Sequence, residues 1–476
     1  MLRLIPAVLA AALSLQFARA ADLPETPAGQ RLGELIGLIE QATPRAVADY
    51  IDEHYTEAYA ARLPLAARID SFMDWKARGG MALLEIRRSE AHGIETVTRQ
   101  PLSDERWLFS VSVEAEAPHR IEAIRVGRAP LPVLEAPADD EATARAFIDY
   151  VAGLAGHGLF SGAVLIGRDG EVLGKGAWGL ANRDFDTRNT PDTRFNLGSM
   201  NKTWTAVAIG QLVEAGKLAF DDPVSKYIDY PDAESARRIR IEHLLTHTSG
   251  LGNYFTDEFD ATARKNLRSI DDFLALSRDQ ALAFEPGEDW RYSNTGMMLA
   301  GKIIELASGQ DYDSYVAEHI FAPAGMTRSG CFELDTVNDN LAVGYVEDWS
   351  VDGMTIRNNL FEHVVKGGPA GGCYSTVEDL FRFARALETG ELVGPAMAET
   401  LTTGKPELNS AHYGFGFQVQ HGGALYGHGG GFPGISANLD IAAEPDGWVV
   451  VVLANDDSAR APVVKARQLL GLAEAP

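Results

Sequence analysis

Ser199-Met200-Asn201-Lys202 puts a hydroxyl and an amine three residues apart, just ahead of an apolar helical stretch carrying Trp204, Val207, Ala208 and Leu212. Side chains at that spacing share a helix face. A lysine held there and partly desolvated has its pKa lowered enough to take the serine proton, which would make Ser199 a nucleophile. A helix N-terminus beside the serine would favour an oxyanion forming there. Alone the pattern is weak, because about one S-x-x-K arises by chance in a chain of this size. A capping serine followed by a solvated lysine is spelled the same way.

Two later stretches supply the rest of a proton-transfer site. Glu285-Pro286-Gly287 turns the chain into Tyr292-Ser293-Asn294, ahead of an apolar helix from Met297 to Ala307. A phenol beside a lysine can relay protons, and an asparagine amide can both donate and accept. A core tyrosine and a helix-capping asparagine would look no different. Further on, Tyr426-Gly427-His428-Gly429-Gly430-Gly431-Phe432-Pro433-Gly434 offers glycines that let backbone N–H groups approach a ligand, followed by a strand from Ser436. That order would set His428 and Gly431 on a strand facing a cleft; a glycine-rich turn with a surface histidine is the plainer alternative.

Together the three stretches resemble the serine β-lactamase and penicillin-binding protein family, in its class C, D,D-carboxypeptidase and esterase branch. That family carries S-x-x-K, Y-x-N and a late K-T-G or H-x-G element in this chain order. The resemblance runs over about residues 145 to 470. It takes in His243-Leu244-Leu245-Thr246-His247-Thr248-Ser249-Gly250-Leu251 and Gly371-Gly372-Cys373-Tyr374-Ser375-Thr376, which look like structural signatures of the branch. It implies that Ser199 attacks a carbonyl and becomes acylated, that Lys202 and Tyr292 share the proton transfers, and that Asn294 orients lysine and substrate. It also implies that His428 stands where K-T-G has lysine. The N–H groups of Ser199 and Gly431 would form an oxyanion hole, worth on the order of 3 kcal/mol per donor, with Gly430 among the substrate-binding residues.

Gly429 departs from the pattern, since it lacks the hydroxyl that helps β-lactamases hold an antibiotic carboxylate. Poor β-lactam turnover is expected. An ester or an amide of a D-amino acid or small peptide is favoured over a penicillin-binding D,D-peptidase, a weak β-lactamase or a non-turnover sensor. The lipase reading of His428-Gly429-Gly430-Gly431 fails, because no G-x-S-x-G elbow occurs.

The elements that must position these residues form an α+β chain in two parts. Residues 24–128 read as helices followed by four alternating runs, Met81 to Arg87, Ile94 to Arg99, Trp107 to Glu114 and Ile121 to Val126. These predict a small α+β accessory domain built on an antiparallel meander, similar in element order to nuclear-transport-factor or cystatin folds, with a docking or spacer role. Residues 129–141, rich in Pro, Ala and acids, read as a linker. Residues 142–474 open with a helix and a hairpin and close with a hairpin and a helix. That order implies a β-lactamase-like domain with one antiparallel sheet built from both ends, flanked by helices, and a helical lobe between them. A site is expected in the cleft between sheet and lobe.

Residues 1–20 have the pattern of a secretory signal peptide, with Arg3, an apolar run and Ala18-Arg19-Ala20 before the expected cleavage. A periplasmic or secreted protein with no later membrane segment is expected. The whole chain carries a net charge of −25; without residues 1–20 it has 40 basic and 67 acidic residues, net −27. Such a surface disfavours nucleic acid and anionic lipid. Cys331 and Cys373 could pair in an oxidising compartment or pack as free thiols. No cofactor and no metal site is indicated, and the partner expected is a small-molecule or peptide substrate; oligomeric state is not legible.

Overall fold

The computed structural model describes residues 23–132, 134, 137–443 and 445–472. The expected signal peptide and residues 133, 135 and 136 of the expected linker lie outside these. Two compact units emerge, one through Leu131 together with Asp348–Thr355, the other Pro132–Glu347 with Ile356–Glu474.

In the first unit, helices Pro27–Glu40 and Pro44–His54 each start on a proline behind a capping threonine. Proline at that position loses no hydrogen bond, and the threonine hydroxyl satisfies an orphan N–H. A third long helix, Leu65–Ala77, precedes Gly79-Gly80, both at positive φ. The strands Ala82–Ser89, Gly93–Arg99, Arg106–Val113 and Ile121–Arg128 follow as an antiparallel meander. Phe109, Val111 and Val113 face one way and are buried against Leu32, Leu35 and Ile39 of the first helix. A short helix, Glu57–Ala60, was not expected. Nor was the hairpin Tyr345–Ser350 and Gly353–Asn358, whose tip groups with this unit through Trp349 and Val351.

The second unit is organised by a six-stranded antiparallel sheet. Its strands run in the order Gln418–Gln420, Leu425–Phe432, Ile435–Ala442, Trp448–Ala454, Gly162–Arg168 and Glu171–Trp178. The pairing of Trp448–Ala454 with Gly162–Arg168 joins the two ends of the unit, as the order of hairpins implied. Trp448–Ala454 is buried on both faces, which accounts for its unbroken run of Val and Leu. Asp140–Gly156 and Arg460–Leu469 pack together on one face, their core continuous with Val164, Ile166 and Val450. The other face meets the lobe through Leu165, Leu439, Val451 and the helix Lys202–Glu214. That helix is apolar all round and almost wholly buried, so it serves as a fixed strut between sheet and lobe.

Candidate active site

Ser199 occupies a 3-10 turn, Gly198–Asn201, which runs directly into the α-helix beginning at Lys202. Residues three apart eclipse in a 3-10 turn, so the two side chains meet. The capping alternative for Ser199 does not apply.

Lys202 is fully buried. Its Nζ lies 3.0 Å from Ser199 Oγ, 2.7 Å from Asn294 Oδ1 and 2.5 Å from the carbonyl oxygen of Ala370. Burial pushes its pKa well below the ordinary lysine value, with no carboxylate among the causes to offset it. A neutral amine has two N–H groups and one lone pair. With the N–H groups donated to Asn294 Oδ1 and Ala370 O, the lone pair remains for the Ser199 hydroxyl. In that neutral form Lys202 can accept the serine proton.

Tyr292 hydrogen-bonds to Ser199 from the other side, and Lys202 Nζ sits 4.9 Å from the centre of its ring. Desolvation raises the phenol pKa, and the Ser199 contact lowers it in part. The phenol is therefore a proton donor at neutral pH.

Asn294 is free for this role because Ser293 caps the helix Asn294–Ser308: Ser293 Oγ accepts from Gly296 N and donates to Gly252 O. Asn294 Nδ2 in turn donates to Asn253 Oδ1 at 3.3 Å.

The strand Leu425–Phe432 passes directly beside the nucleophile turn. A Cβ on Gly430 would stand 1.8 Å from the Leu197 carbonyl oxygen and 3.0 Å from Ser199 N; one on Gly198, at φ +50, would stand 2.7 Å from Gly431 N. Only glycine permits this approach, which brings the N–H-bearing backbone of Ser199 and Gly431 together. Both residues line a cavity of about 270 Å³, along with Tyr292 and Asn294.

His428 and Gly430 do not line that cavity. Strand alternation turns His428 away from it, into the interior behind Tyr413. Its Nδ1 donates to the Gly429 carbonyl, so the Tyr413 hydroxyl donates to Nε2, at 2.9 Å. Desolvation, aided by Lys202, takes its pKa down to about 3. His428 is a buried neutral ring, and Gly430 acts by its lack of a side chain. The groups expected to bind substrate at these two positions are thus not among those lining this cavity.

Two participants were not singled out from sequence. Asn253 borders the cavity and holds Asn294; a lone asparagine in a loop carries no signal. His247 sits at φ +63 and fastens both neighbours of Tyr292: its carbonyl accepts from Arg291 N at 2.9 Å and its Nδ1 from Ser293 N at 3.2 Å. Its ring lies 4.2 Å from that of Tyr292. The one available hint was its place in the His243 to Leu251 signature.

Behind the nucleophile, Leu197 N donates to Cys373 O and Gly372 N to Gly198 O. Cys373 is bonded to Cys331, so the cysteines left open by the sequence form a disulfide. Among the described residues no group of three or more His, Cys, Asp or Glu is placed to hold a metal.

The Beta-lactamase family model matches residues 144–474, well over half the chain and the whole of this site. The chain belongs to the Beta-lactamase family. A Bacillus subtilis (strain 168) protein carrying the name penicillin-binding protein PbpX is 32% identical over 294 residues, 62% of this chain and 70% of that protein. Penicillin-binding protein 4* of Bacillus subtilis (strain 168) and protein flp of Staphylococcus aureus (strain N315) match over 65% and 60% of their own length. A solved penicillin-binding protein from Bacillus halodurans is 34% identical, with a TM-score of 0.59, over 64% of this chain and 94% of that one. A D-stereospecific amidohydrolase from Streptomyces is 27% identical, with a TM-score of 0.55, over 68% and 97%. The α+β fold is thus that of the family, whose solved members similar to this chain include a penicillin-binding protein and a D-stereospecific amidohydrolase.

Proposed function

We propose that the protein is an exported serine hydrolase that works through an acyl-enzyme on a small ester, D-amino amide or peptide-like substrate. The observation that carries this reading is the fully buried Lys202, whose Nζ lies within hydrogen-bond distance of Ser199 Oγ, Asn294 Oδ1 and Ala370 O and whose pKa burial lowers. In the proposed cycle Ser199 Oγ attacks the substrate carbonyl as its proton passes to Lys202. The carbonyl oxygen, now anionic, is met by the N–H groups of Ser199 and Gly431. Tyr292 protonates the leaving alcohol or amine and is reprotonated through Lys202. Water then attacks the acyl-enzyme with the same groups acting in reverse.

Export is supported by the signal-like pattern of residues 1–20 and by the disulfide, which suits an oxidising compartment. Among the described residues no helix is long and apolar enough to cross a membrane. A penicillin-binding D,D-peptidase is the second reading, favoured by the names of the relatives. His428, neutral and turned from the cavity, offers no cation to a penicillin carboxylate and weighs against it.

Labelling with a fluorophosphonate probe and with a fluorescent penicillin, beside Ser199→Ala, separates these readings. Ser199-dependent fluorophosphonate labelling with little penicillin labelling is expected. Strong penicillin labelling would install the second reading, and no Ser199-dependent labelling would remove both.

A further inference from the structure

The cavity beside Ser199 is walled by Tyr254, Phe255, Phe259, Phe432, Val364 and Ile435. Four of these are aromatic and touch one another: Tyr254 and Phe255 lie 4.6 Å apart between ring centres, Phe255 and Phe259 4.9 Å, and Phe255 and Phe432 6.1 Å in a near-parallel pair. Phe255 remains 43% exposed, so the wall reaches the mouth. Leu360 and Phe361, the latter 89% exposed, stand just ahead of His363 and Val364, which line the cavity.

Among the described residues no Asp, Glu, Lys or Arg lines it. Several polar atoms of the lining are engaged with one another: Asn253 Oδ1 accepts from Asn294, Ala370 O from Lys202, and His363 Nδ1 donates to Val364 O. A substrate carboxylate entering here would find no cation, and a substrate ammonium no carboxylate. Burying either without an opposite charge is unfavourable, whereas an apolar ring gains from the aromatic walls. The volume, about 270 Å³, lies at the small end of ligand cavities, which run from about 300 to 1,000 Å³.

Building on the hydrolase reading, we infer that this site selects an uncharged acyl group bearing an aromatic ring or short alkyl chain, seated against Phe255 and Phe432, and discriminates against acyl groups with a free carboxylate or α-ammonium. The inference narrows the substrate to neutral esters and amides. It sets aside both the carboxylate-bearing peptide and the free D-amino amide.

The test compares p-nitrophenyl phenylacetate, the p-nitrophenyl ester of D-phenylalanine and mono-p-nitrophenyl glutarate at pH 7, with Ser199→Ala as blank. The phenylacetate is expected to exceed both charged esters at least a hundredfold in kcat/KM. In Phe255→Ala and in Phe432→Ala, the preference for phenylacetate over acetate falls at least tenfold. If turnover is slow for all, protection of Ser199 from fluorophosphonate labelling is expected to follow the same order. Ser199 labelling together with rates, or protection, within threefold for the three esters overturns this inference alone, as does preference for either charged ester. Absence of Ser199-dependent labelling overturns the hydrolase reading and this one with it.

Discussion

Lys202 holds its place because each hydrogen of a neutral amine has an acceptor, Asn294 Oδ1 or Ala370 O. Adding a proton there means charging a fully buried group. In the proposed mechanism the working form is the neutral one and its pKa is lowered, so activity is expected above that lowered value and lost as pH falls through it. The acid limb of the rate is therefore expected well below the ordinary lysine range. Lys202→Ala is expected to lower acylation at least ~10³-fold, the upper range of general-base effects. His428 does not titrate near neutrality, since burial holds its pKa at about 3. His247 is a positioning residue. His247→Ala is expected to cut kcat about ten- to a hundredfold with little change in KM, because misplacement of Tyr292 by about 1 Å is enough to do so. His247→Asn should recover part of the loss, as asparagine tolerates the left-handed backbone and can accept from Ser293 N. Steady-state kinetics of the three proteins decides this.

At the scale of elements, the site is an intersection of three pieces: the 3-10 turn ahead of Lys202–Glu214, the start of Asn294–Ser308 and the strand Leu425–Phe432. Their contact depends on glycines where backbone meets backbone. Gly430→Ala would drive a methyl group into Leu197 O, and the strand must then retreat from Ser199 N. We expect a loss of at least ~10²-fold in kcat/KM, the size of one oxyanion donor, with an unchanged circular dichroism spectrum. The three motifs were legible in the sequence because their chemistry needs particular residue types, and helix spacing alone pairs Ser199 with Lys202. The hairpins at both ends of the second unit were legible from alternation and turn residues. Which face of Leu425–Phe432 meets the cavity was not, because His428 and Gly431 lie three apart on a strand and so point opposite ways. The hairpin Tyr345–Asn358 escaped notice because residues such as Met354 and Ile356 are exposed, leaving no clean alternation to read.

For the whole molecule, the pairing of Cys331 with Cys373 was beyond sequence reasoning, since it depends on two Cα atoms coming 4.2 Å apart across 42 residues. It ties the loop after Met326 to the strand that supports Leu197 and Gly198. Chain-entropy arguments put the stabilisation from closing a loop of that length at ~4 kcal/mol. Denaturant melts of the double variant Cys331→Ala/Cys373→Ala should show that loss, and equal stability would contradict it. The central claim, a serine activated by a neutral buried lysine, is tested most directly by the rate of fluorophosphonate labelling across pH 5 to 10, with the labelled peptide identified. The account predicts labelling at Ser199 at a rate that levels off well below the ordinary lysine pKa and that falls at least ~10³-fold in Lys202→Ala. A rate that keeps climbing to an ordinary lysine pKa of about 10.4, or labelling that survives Ser199→Ala, would contradict it.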